Sequence, residues 1–351
     1  MDRMKRDVFL AKVGRLDADR LRHILWNLYH RGGSALRERI EGLLDPDKPA
    51  RGEVAREEPD ASFLREEAEE FCRHARSGAY MGGTRDVSPS ERIRWRHTFR
   101  RLVDSAVCCL GHGGFEEGAG ALEQLLGVLC EASDIDFFHS EDAVQAAKLV
   151  VSDVVRTLWK ASLEYEGFPA FAHRAAPQLL RWERAFGWTR YGEGAVAERE
   201  VPLASVLAGL LTLPDMWMTF ADSYLRALDA EAEASGRAQK AGAAHRPDVE
   251  RHAREERTRN LARWHGALLE RLAGSDGEER LDRLVRHPAL DGPEKTFLQA
   301  RLAHARGDAP RARALATRCL ESLPGHESFL AFADSIGAPV PPSVKRVRSQ
   351  R

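Results

Sequence analysis

The chain has 351 residues, 43% hydrophobic and 30% charged, with 53 basic and 54 acidic side chains and a formal net charge of -1. That mixture supports packed cores rather than bulk disorder, and the charge balance argues against a dedicated nucleic-acid or membrane-surface binder. The cysteines at 72, 108, 109, 130 and 319 are odd in number and form no Cys-x-x-Cys pair, which points to buried free thiols in a reducing compartment.

The opening MDRMKRDVFLAKVGRL scatters charge along its length without an apolar core, so it does not read as a signal peptide. The cytoplasm is the expected compartment, and the richness in Arg and Ala fits a high-GC bacterial genome. Asp17 predicts a helix start, because its carboxylate can accept from first-turn amides. Leu16 and Leu21 fit a hydrophobic staple, and Leu21, Ile24, Leu25 and Leu28 share one face. Gly32 and Gly33 stop this helix; Ser34 caps a second one carrying Leu36, Ile40 and Leu43, and Asp45-Pro46 ends it. Residues 1–45 therefore read as an N-terminal helical hairpin, and the Pro- and charge-rich 46–60 as a linker.

A helix is predicted from Ser62 to about Ser77, closed by Gly78. Ser88-Pro89-Ser90-Glu91 then forms a capping box with proline in the first helical position. Its helix buries Trp95, Phe99, Leu102, Val103 and Ala106 and breaks at Gly111 to Gly114. Apolar spacing predicts further helices over 115–130, 141–163, 170–186, 203–212 and 215–233, completing a central helical domain over 61–233. The small, polar stretch 234–248 reads as an exposed connection, and helices follow over 249–273 and 277–286. The best apolar run, Leu203 to Leu213, is too short for a bilayer, which needs about 20 residues. No segment alternates apolar and polar residues over a strand length, so the fold class is all-α, with helical hairpins packed pairwise.

From Pro293 to Gly325, two helices flank Gly307-Asp308. Glycine can end the first helix in the left-handed conformation, Asp308 can cap the second, and Pro310 fits its first turn. Ala300 and Ala303 meet Ala312 and Ala316. With Cys319 and Pro324, this pattern resembles a degenerate tetratricopeptide repeat; Thr296, Ala303 and Ala316 stand where that family usually carries larger residues. Asn260 to Pro288, with Trp264, Gly266, Leu268 and Leu281, resembles a shortened neighbouring unit. The resemblance implies a partly solenoidal array over 249–337 that presents a groove to a protein or peptide, before a Pro-rich, basic and disordered tail at 338–351. The N-terminal hairpin LDADRLRHILWNLYHRGGSALRERIEGLL weakly resembles the helical region of bacterial proteins associated with SWIM zinc fingers. The Cys-x-Cys partner of that finger is absent, so no zinc function is carried over from it.

Candidate sites are few. Asp134, Asp136, His139, Glu141, Asp142 and the later Asp153 could hold a divalent metal, but neither EF-hand nor His-Glu-x-x-His spacing is present. A helix start, with Ser140 as cap, explains them better. Arg92, Arg96 and Arg100, flanked by Arg85, Arg94, His97 and Arg101, form a basic stripe for phosphate or for pairing with acids such as Glu116 and Glu117; the balanced net charge favours pairing. The loop Gly78-Ala79-Tyr80-Met81-Gly82-Gly83 lacks the lysine of a phosphate loop, and Tyr80 makes it the best candidate for a binding loop. No catalytic motif, metal site or cofactor is expected. The leading expectation is a non-enzymatic scaffold or adaptor for a protein partner. The alternatives are a helical enzyme or small-ligand binder at Tyr80, Arg85, Arg96, His139 and Asp142, or a nucleic-acid binder through the Arg92 stripe and the basic tail. No membrane partner is expected.

Overall fold

Asp17 opens helix α1 (Ala18–Arg31): its carboxylate accepts from the Arg20 amide at 2.6 Å. The computed structural model describes residues 14, 17–31, 40, 61–82, 86–111, 113–133, 135–140, 142–240, 247–342 and 344. Residues 1–59 form one unit and residues 60–351 a second. In the first unit, Ile24, Leu25 and Trp26 of α1 are 41%, 38% and 58% exposed. Of the helix expected at 34–44 only Ile40 is described, and the linker at 46–60 lies outside the described residues.

The second unit begins with α2 (Ala61–Arg76), followed by left-handed Gly78, φ +73°, and a short turn of 3-10 helix at Ala79–Met81. The capping box forms as the sequence implies. The Glu91 carboxylate accepts from the Ser88 amide at 2.9 Å and its hydroxyl at 2.6 Å, and α3 (Pro89–Gly111) follows. Trp95, Phe99, Leu102, Val103 and Ala106 are all buried. α3 packs closely on α4 (Phe115–Glu131) because Gly118 has no side chain; a Cβ there would lie 2.8 Å from the Ala106 carbonyl oxygen.

The single helix expected over 141–163 is two, α5 (Ala143–Ala147) and α6 (Val151–Glu166). In one straight helix, Leu149 would lie opposite Val144, Ala147, Val151 and Val155, although all five are buried. The chain resolves the conflict by turning at Lys148, φ +51°. The Lys148 amide donates to the Gln145 carbonyl and the Leu149 amide to the Val144 carbonyl, a Schellman end without glycine. The cap of α5 is Asp142 rather than Ser140, accepting from Val144 and Gln145 amides at 2.9 and 3.0 Å.

Next come α7 (Phe168–Phe186), a 3-10 turn at Gly187–Tyr191, α8 (Ala195–Arg199), α9 (Leu203–Leu210) and α10 (Pro214–Lys240). α10 thus runs through the first half of the expected connection at 234–248; 241–246 lie outside the described residues. The helix expected over 249–273 is interrupted at Leu261 into α11 (Pro247–Asn260) and α12 (Ala262–Leu272), and α13 (Glu278–Arg286) follows. Polar pairs bind α10 to α13: Arg280 donates to both Asp222 oxygens at 2.8 and 2.7 Å, and Asp229 holds Arg283 and, at 3.0 Å, His287. One hydrophobic core continues from Leu64 to Leu302 across these helices, centred on fully buried Trp159, Trp264 and Tyr224.

α14 (Pro293–Ala305) and α15 (Ala309–Ser322) are the predicted pair. Gly307 is left-handed at φ +77°, and the Asp308 carboxylate accepts from the Arg311 amide at 3.2 Å. Ala300, Ala303, Ala312 and Ala316 are buried between them. Two features depart from expectation. A further helix, α16 (Glu327–Ser335), packs on α15. The chain after Gly337 is also packed as far as it is described: Ala338 and Val344 join Cys319, Leu320, Phe329 and Ala333 in a second, smaller core. Apolar residues among the prolines supply that contact; 345–351 lie outside the described residues.

Every regular element among the described residues is helical, and helices pack largely in pairs. No described helix is long and apolar enough to cross a membrane.

Candidate functional site

The residues singled out by sequence occupy separate environments. Tyr80 is 5% exposed, its ring 5.1 Å from Phe71 and 5.6 Å from Phe138, while Phe138 stacks on Trp95 at 4.0 Å. The glycine-rich loop therefore turns its tyrosine into an aromatic core, and burial raises the phenol pKa above its ordinary value. Arg85 lies outside the described residues. Arg92 donates from Nε to the Val87 carbonyl at 3.1 Å, and Arg100 from Nε to the Arg96 carbonyl at 3.3 Å. Arg101 pairs with Glu67 of α2, not with Glu116 or Glu117. Glu116 lies instead 3.8 Å from Arg174. Arg94, Arg96, His97 and Arg101 are exposed, Arg92 and Arg100 half-buried, and His139 is exposed beside buried Phe138. Asp142 spends its carboxylate on the α5 cap. Of the acidic cluster, Asp134 and Glu141 lie outside the described residues, and Asp153 pairs with Arg156 and Arg199. Among the described residues no three His, Cys, Asp or Glu side chains are placed to hold a metal ion.

A groove that the sequence did not single out runs along α7. Its floor is the outward face of that helix: Ala170, His173, Arg174, Pro177, Arg181 and Arg184 recur at spacings of three and four. One recess, about 670 Å³, lies between the end of α4 and helices α10 and α11, and its apolar lining includes Cys130, Pro177, Leu180, Ala227 and Ala230. A second, about 630 Å³, is walled by Glu123 of α4 and Glu166 of α6. The two adjoin, sharing Pro177 and Arg181 in their walls. Pro177 has no amide, so the His173 carbonyl in the groove loses its intrahelical donor.

Ion pairs fix the rim. Arg174 donates to Glu166 at 2.6 Å and to Glu123 at 2.9 Å, and Gln178 bridges Glu123 and the buried Trp159 indole, each at 2.7 Å. Glu131 takes Arg76 at 2.7 Å and Arg181 at 3.3 Å; its hydrogen bonds, that from Arg76 foremost, hold its carboxyl below the usual carboxylate range. Across the groove, Glu231 accepts from Arg257, whose side chain is 9% exposed, at 2.7 Å. Arg184, exposed at the end of α7, and Glu256 of α11 also line the first recess. The result is a trough with a patch of small apolar residues and mixed charge around both recesses: Glu131, Glu231, Glu256, Arg181 and Arg184 line the first, and Glu123, Glu166 and Arg174 the second. Side chains held in this way can bind a shape, and the chain's most buried thiols are held as neutral groups: burial pushes Cys72 and Cys319 up to about 12.

Sequence reading missed Leu180, Arg184, Ala227, Ala230 and Glu256 because the groove assembles from helices far apart in the chain. The available signals were the mid-helix proline beside an arginine row at 174, 181 and 184, and the alanines of α10. No protein-family model, curated protein or solved structure matches the chain.

Proposed function

We propose that the chain is a non-enzymatic helical scaffold of the reducing cytoplasm whose α7 groove docks one segment of a protein partner. The observation that carries this reading is the pair of adjoining recesses along α7, which share Pro177 and Arg181 and include a patch of small apolar residues bordered by charged side chains. A short amphipathic segment fits that chemistry. Its apolar side chains lie on Leu180, Ala227 and Ala230, an acidic residue meets Arg184, and a basic residue meets Glu256. Helix-in-groove recognition uses such anchors at spacings of three and four residues. The helix starts at 262, 293 and 327 lie 31 and 34 residues apart, which supports the tetratricopeptide-like reading of the C-terminal helices as a further stacked surface.

The test is site-specific photo-crosslinking in the native host. A benzoylphenylalanine at position 227 gives a discrete adduct, and the same probe at exposed Tyr191, away from the groove, does not. Equal and diffuse labelling from both positions refutes the docking groove.

A further inference from the structure

Glu294 opens α14, and His326 caps the start of α16 through its backbone. Their side chains meet across the helix pair, Glu294 Oε1 to His326 Nε2 at 3.3 Å. The Glu294 side chain is only 10% exposed, and His326 Nδ1 is buried without a hydrogen-bond partner. The His326 ring stacks on Phe329 at 4.0 Å, and Phe329 meets Phe297 of α14 at 4.6 Å. The contact therefore sits where α16, and with it the segment to Val344, joins the small second core. Nearby charge is sparse: Arg259 of α11 acts on Glu294, Arg318 of α15 and Glu294 act on the neighbouring Cys319 thiol, and Glu327 of α16 acts on His326.

We infer that the Glu294–His326 contact is a proton-controlled clasp: it holds α16 and the following segment on the α14–α15 pair while one proton is shared between carboxyl and imidazole, and loosens when that proton leaves. This inference goes beyond the docking groove and does not depend on it. The chemistry follows from burial. A buried carboxylate without a full ion pair is costly, so the protonated acid is favoured in place. Burial lifts Glu294 to about 7, against the pull of Arg259, and burial pushes His326 below its ordinary value. The two act in opposite senses. The Glu294 contribution is complete below its unfolded value and is lost as pH rises through about 7; the His326 contribution is complete above its unfolded value and is lost as pH falls. Docking of α16 is therefore tightest in mildly acidic conditions and weakens as pH rises through about 7.

Hydrogen exchange of the full chain tests this, with rates corrected for the intrinsic pH dependence of exchange. Protection of the α16 amides from Leu330 to Ile336 falls several-fold between pH 6 and pH 8: a group titrating near 7 in one state only gives roughly tenfold, and His326, acting in the opposite sense, offsets part of it. The α3 amides around Leu102 keep constant protection. Glu294→Gln, a neutral isostere, removes that fall and leaves only the opposite His326 trend. Flat wild-type α16 protection overturns the clasp by itself, whether or not the variant folds. A variant retaining the wild-type fall overturns the assignment to Glu294.

Discussion

Two glycines in α4 predict opposite responses to the same substitution. Gly118 faces α3, and an added Cβ would stand 2.8 Å from the Ala106 carbonyl oxygen, 3.1 Å from Cys109 Cβ and 3.2 Å from the Leu110 amide nitrogen. Two of those three atoms are backbone and cannot swing aside, so α3 and α4 must separate. Forced overpacking costs about 1–3 kcal/mol, and contact with immovable backbone puts this site in the upper part, about 2–3 kcal/mol; the helix-propensity gain of alanine returns about 1 kcal/mol, leaving a net loss of roughly 1–2 kcal/mol. Gly120, two residues on, has nothing within 4 Å of the same added atom. There Gly→Ala keeps only the propensity gain, about 0.5–1 kcal/mol. In a thermal melt followed by circular dichroism, at about 2–3 °C per kcal/mol for a unit of this size, Gly118→Ala lowers Tm by about 2–5 °C and Gly120→Ala raises it by about 1–3 °C. Shifts of the same sign, or a neutral Gly118→Ala, would show that α3 and α4 do not cross at that glycine.

Two further outcomes follow from named contacts. Asp142→Ala removes an acceptor used by two amides and costs about 1 kcal/mol in urea unfolding, whereas Asp142→Asn keeps most of the cap; equal losses for the two would contradict the capping role. At pH 8 a disulfide thiol reagent reacts rapidly with one cysteine, the half-buried Cys108, and Cys108→Ser abolishes that fast phase. Cys72 and Cys319, buried and pushed up to about 12, react only on unfolding. A second fast thiol in the native protein would show that the burial is incomplete.

What could be read in the sequence was local. Asp17, the Ser88–Glu91 box and the Gly307-Asp308 turn each act within a few residues, so spacing alone located them. The break at Lys148 was hidden because a lysine occupies the left-handed position where glycine is the usual marker, and only burial of Leu149 within the assembled core demands the turn. The packing of Ala338 and Val344 was hidden for a related reason: a Pro-rich composition reads as tail until a neighbouring helix, α16, offers a surface. Tyr80 stood out by its glycine neighbours, yet those glycines let the chain deliver an aromatic ring inward. The α7 groove combines side chains from residue 123 to residue 256, and no window of sequence contains it.

The docking account is most directly tested at Ala230, an exposed small residue of the groove wall whose enlargement leaves the core untouched. The partner recovered by crosslinking at position 227 is titrated against the wild type and Ala230→Trp by calorimetry. The account predicts at least a tenfold weaker Kd for the variant, with Tm unchanged. Equal affinity, with the groove filled by the indole, would contradict it.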